Sequence, residues 1–128
     1  MNKKIVLAGA IFIVIAIVLG AFGAHALKEV LVPEELTSFE TGVRYQMYHG
    51  LALLAIGLNS NALGFSLKWI FNFILAGVVL FSCSIYGLSL DTLIGMKLSF
   101  LGPITPLGGL LMIIEWVILI VQLIKSKK

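Results

Sequence analysis

Long stretches of this chain carry no charge. Nine basic and six acidic side chains stand among 128 residues, yet segments 5–27, 45–67 and 69–90 contain none of them. Segment 98–124 contains only Glu115. An ionised side chain at the centre of a bilayer costs roughly 2.5–3.5 kcal/mol, so charge-free runs of this length are written for hydrocarbon. The scarcity also excludes an ordinary soluble domain: 12% charged residues compares with about 25% in such domains. One cysteine, Cys83, excludes an intramolecular disulfide, and its place inside the third run reads as a small buried hydrophobe. HisxxHis and CxxC spacings are absent, and so is any nucleophile–base–orienter set.

What is present is apolar. Hydrophobic residues make up 60% of the chain and mean hydropathy is +1.12. A spanning helix needs about 20 such residues. Four spans, at 5–27, 43–62, 69–90 and 103–124, use nearly the whole length, so the chain reads as one all-α integral membrane domain, a four-helix transmembrane bundle. Between spans one and two, Pro33 followed by Glu34 and Glu35 is a helix-start signal. Leu36, Phe39 and Val43 then repeat at helical spacing, which predicts a short amphipathic helix over 33–44 lying in the membrane interface and feeding directly into span two. Span two is short in strongly apolar residues, and a re-entrant helix is its alternative.

Basic residues cluster beside span ends, which is orientation information rather than a nucleic-acid surface, despite a pI near 9.2. With both termini cytoplasmic, Lys3, Lys4, Lys68, Lys125, Lys127 and Lys128 fall inside, against Lys28, Arg44 and Lys97 outside. A cleaved signal peptide ending near Ala24-His25-Ala26 is a rival reading of the N-terminus. Its apolar run is longer than the usual ~7–15 residues of such signals.

Polar residues then fall at one level near the outer leaflet. His25, Tyr45, Gln46, His49, Ser82, Ser84, Tyr86 and Thr105 form the expected polar cluster, because unsatisfied polar groups in lipid cost several kcal/mol and turn toward one another. Ala16, Gly20 and Ala24 recur every fourth residue and, with Gly23, Gly77, Gly108 and Gly109, mark close helix packing. Glu115 lies near the middle of span four, where an acid is by default a functional candidate. A neutral acid there could bond Asn72, a serine or a second copy of itself. An ion would need a partner, and no Lys or Arg is expected at its depth.

Gly-Ala-Phe-Gly-Ala-His at 20–25, Thr41-Gly42-Val43 with Tyr45-Gln46-Met47-Tyr48-His49, Phe81-Ser82 with Ser84 and Tyr86, and Thr105-Pro106-Leu107-Gly108-Gly109 with Trp116 resemble the signature stretches of one small membrane family. That family is domain of unknown function 423, and vertebrate transmembrane protein 256 is a relative. The resemblance implies a four-span protein of the bacterial inner membrane and no settled activity, cofactor or substrate. It also implies two departures: the family usually has a small residue at the position of Glu115 and commonly glycine at that of Cys83.

Three functions remain in view. The leading one is a non-catalytic accessory or structural subunit, or a homo-oligomer, with the lipid bilayer as its surroundings and no nucleic acid. The second is an oligomeric channel or transporter lined by Glu115 and the outer histidines, His25 and His49. The third is a haem-, quinone- or lipid-headgroup-binding protein using His25 and His49. No cofactor is predicted outright, and a metal or haem would have to rest on those two imidazoles.

Overall fold

The computed structural model describes residues 1–126, all of whose regular elements are helical. Lys127 and Lys128, counted above toward the basic side, lie outside the described residues. Helix α1 covers Lys3–Ala24, and Asn2 starts it by accepting the Ile5 N–H on its side-chain oxygen at 3.2 Å. A turn of 3₁₀ helix at Leu27–Glu29 leads to α2, Pro33–Leu58. Pro33 needs no hydrogen-bond partner in the first turn, and the Glu35 carboxylate accepts the Val32 N–H at 3.1 Å. Helix α3 is the short Ser60–Leu63, closed by Gly64 at φ 71°, a left-handed conformation glycine adopts without a Cβ penalty.

Helix α4, Lys68–Val78, passes through a π turn at Val79–Cys83 into α5, Ser84–Ile94, which ends at Gly95 with φ 73°. Helix α6 covers Ile104–Lys125. Among the described residues, three stretches are long and apolar enough to cross a membrane: Lys3–Glu29, Lys68–Ile94 and Ser99–Lys125.

The helix expected over 33–44 feeds directly into span two. It runs without a break into the second apolar segment as one 26-residue helix, about 39 Å long at 1.5 Å per residue. The reason is local: proline occurs in this stretch only at Pro33, and Gly42 is packed rather than turned. Helices α1 and α2 lie antiparallel along most of their lengths. Asn2 N–H donates to the Gly57 carbonyl at 2.8 Å, and Phe39 lies against Gly23 at the other end. Glycines set the spacing. A Cβ on Gly9 would stand 2.7 Å from the Gly50 carbonyl oxygen, and one on Gly57 would stand 2.8 Å from Val6 Cγ2.

On the other side, Gly77 faces Met112, and Gly108 faces the backbone of Leu80 and Phe81 in the π turn. The core joins Ile5 and Leu53 to Ile70, Phe71, Ile74 and Met112. Outward faces are apolar as well: Ile11, Val14, Ile17 and Phe22 on α1, and Ile113, Val117 and Ile120 on α6, are all exposed. A soluble monomer rarely shows so continuous an apolar surface, whereas lipid requires one. Cys83, expected to be buried, is also exposed.

Candidate functional site

Helix α2 carries most of the polar machinery. Because α2 begins at Pro33, His49 falls well inside the helix rather than at an end, level with Phe12 and Ile13 of α1, which pack about Gly50. His49 Nδ1–H donates to the Tyr45 carbonyl at 2.8 Å, since a carbonyl can only accept. That bond leaves Nε2 facing α6, where Glu115 Oε1 stands 2.6 Å away and both side chains are buried. One proton lies between the two atoms, so imidazole and carboxyl together form a net neutral unit. Trp116 Nε1–H points at the same His49 Nε2 from 3.2 Å and shares with Glu115 that atom's single lone pair. The second carboxyl oxygen, Glu115 Oε2, is buried and makes no hydrogen bond among the described residues.

This pairing answers the question left by Glu115. Its partner is neither Asn72, which is exposed on α4, nor a serine, but an imidazole on the neighbouring helix. The spacing signal was present: Glu115 and His49 both lie near the middle of long helices that start at prolines. It was obscured by dividing α2 at residue 44, which moved His49 toward the surface.

A second polar group lies one turn away. Gln46 Nε2–H donates to the Phe12 carbonyl of α1 at 2.9 Å, and Tyr86 O–H of α5 donates to Gln46 Oε1 at 2.7 Å. Ser82 O–H, in the π turn, donates to the Gly42 carbonyl at 2.8 Å. Ser84 O–H donates to Phe81 O at 2.9 Å and its oxygen lies 2.6 Å from Thr105 Oγ1. Tyr45 packs edge-on to Phe81, ring centres 5.2 Å apart, and is exposed; its hydroxyl makes no hydrogen bond among the described residues.

His25 does not join this group. It is exposed at the C-terminal cap of α1, beyond the Gly23–Phe39 contact, whereas His49 sits beside Phe12 and Ile13. Twelve or thirteen residues of helix separate those levels, about 18 Å. The two imidazoles therefore offer no shared ligand set for haem or metal. Among the described residues no group of three His, Cys, Asp or Glu side chains could hold a metal ion. The small-residue stripe also differs in part: Ala16 and Gly23 are buried, Gly20 touches Val43, and Ala24 is exposed. Gly9, Gly50 and Gly57 make closer contacts that the fourth-residue pattern had missed, although Gly50 and Gly57, seven apart, share one helix face.

A groove of about 700 Å³ runs along α6 beside the pair, with Tyr45, His49, Phe81 and Trp116 among its walls. Behind Trp116, a small void of about 10 Å³ touches Glu115, Ile70 and Ile74. At the end near Pro33, a more polar cleft of about 510 Å³ is lined by Glu34, Glu35, Ser38 and Ser89.

Relatives share nearly the full length of this chain. A UPF0382 membrane protein of Staphylococcus epidermidis is 39% identical over 96% of this chain and 97% of its own. One from Staphylococcus aureus is 41% identical over the same shares. UPF0382 membrane protein YwdK of Bacillus subtilis is 38% identical over 96% of this chain and 98% of its own. No solved structure matches. Residues 19–109, which include His25, Gln46, His49, Ser82 and Thr105, match the family described as protein of unknown function DUF423. With that match and those relatives, the chain belongs to the DUF423 family of bacterial membrane proteins.

Proposed function

We propose that this protein crosses the bacterial cytoplasmic membrane four times, with both termini in the cytoplasm. There it acts as a non-catalytic scaffold, either as an accessory subunit of a larger assembly or as a self-associating unit. The observation that carries this reading is Gln46, which fastens three helices at once by accepting from Tyr86 and donating to the Phe12 carbonyl. Ser82 and the Ser84–Thr105 pair serve the same end, so the polar side chains of the site are engaged in holding helices together.

The fourth crossing is supported by α2 itself. Its stretch from Phe39 to Gly57 lies beside α1 from Gly23 to Ile5, so the depth of one helix is the depth of the other. Orientation is supported by Lys4, whose ammonium sits 5.8 Å from the Phe71 ring near the start of α4, gathering Lys3, Lys4 and Lys68 at one end. Transport draws less support, since Glu115 Oε1 is held against His49 and the void beside them holds about one water.

The test is extraction from native membranes into polymer-bounded discs, followed by native mass spectrometry of the intact particle. The scaffold reading expects additional copies or a companion polypeptide. A protein always recovered alone as a monomer contradicts it.

A further inference from the structure

We propose that the groove between α2, the π turn and α6 is a binding site for a membrane-dissolved quinone. Four features of the groove select that chemistry. Its volume, about 700 Å³, lies within the 300–1,000 Å³ of sites that enclose small molecules, and bundle interiors are a common place for them. Its lining contains neither lysine, arginine nor a carboxylate, and His49, its ionisable member besides Tyr45, is closed against Glu115, so the occupant is neutral. Three aromatic rings, Tyr45, Phe81 and Trp116, form walls suited to a flat ring, with Tyr45 and Phe81 already packed edge to face. The Tyr45 hydroxyl, which has no partner among the described residues, can donate to an acceptor oxygen such as a quinone carbonyl.

Depth decides against an ordinary lipid. A lipid places its polar headgroup at the water boundary and only acyl chain beside His49, where the Tyr45 hydroxyl would go unused. A quinone carries its carbonyls on a ring that can sit among the hydrocarbon. Entry is lateral, because Leu110, Ile113 and Val117 leave the groove mouth on the outward face of α6. Binding alone is inferred, with no electron or proton transferred.

The chain has two tryptophans, Trp69 and Trp116, so a Trp69→Phe background leaves emission from the groove alone. In detergent, titration with a decyl-tailed benzoquinone should quench that emission saturably, and decylbenzene should fail to compete. Gly109→Leu should abolish the saturable phase. An added Cβ there meets only the Phe81 ring, at 3.7 Å, so the helix accepts the side chain while the groove fills. Tyr45→Phe should weaken binding roughly three- to tenfold, the share of one hydrogen bond. His25→Leu, at the far end of α1, should change nothing. Circular dichroism and elution volume establish that each variant is folded. Quenching that rises linearly, survives Gly109→Leu in folded protein, or is displaced equally by decylbenzene overturns the proposal.

Discussion

His49 and Glu115 illustrate how a buried pair differs from its parts. Removing one partner leaves the other buried without its bond, which costs about 3–5 kcal/mol where the pair is ionic and about 1–3 kcal/mol where it is neutral. Replacing both by apolar residues removes the demand altogether. Glu115→Leu and His49→Leu should therefore each lower thermal stability in detergent, and the double variant should lie above the sum of the two losses, with a coupling of roughly 0.5–3 kcal/mol. Strict additivity in that cycle would show that the 2.6 Å contact contributes nothing. Gln46→Leu leaves Tyr86 without an acceptor and should cost about 1–2 kcal/mol, read as a fall in unfolding midpoint. Residue identities of this cluster were largely legible beforehand, because polar side chains stand out in an apolar chain. Their partners were not, since Gln46 bonds a backbone carbonyl 34 positions away and no side-chain pattern announces that.

Elements pack here through glycine, and the contacts rank those glycines. Gly108 lies against the backbone of the π turn, which cannot yield as a side-chain tip can, whereas Gly109 one residue on has ordinary clearance. Gly108→Ala should therefore destabilise by roughly 1–3 kcal/mol through overpacking, and Gly109→Ala should be nearly neutral. Thermal midpoints of the two variants check this, and equal midpoints would contradict it. The apolar periods and start signals of α1 and α6 could be read from the sequence, since charge-free runs bounded by lysine or proline leave little choice. Two features escaped. The π turn at Val79–Cys83 has no proline or glycine to mark it, and depends on Ser82 reaching the Gly42 carbonyl. The packing of 33–44 alongside α1 escaped because Glu34, Glu35, Glu40 and Arg44 resemble the polar face of an interfacial helix when α1 beside them is unseen.

At the scale of the molecule, the account rests on α2 crossing the membrane alongside α1. Composition and run length identify a membrane protein, and the relatives from Staphylococcus and Bacillus are bacterial membrane proteins too. The number of crossings needs the helix pairing, because α2 alone among the four long rods carries charge through its first third. The proposed four crossings would hold His49 and Glu115 near mid-membrane, put the groove within reach of membrane-dissolved molecules, and leave Lys3, Lys4 and Lys68 on one side. Single cysteines test this in a Cys83→Ser background, one replacing Glu34 at the start of α2 and the other Asn59 just past its end, each treated in intact cells with a membrane-impermeant maleimide. The four-crossing account predicts that the position 34 cysteine is labelled from outside and the position 59 cysteine only after the membrane is opened. Labelling of both from the same side would contradict it.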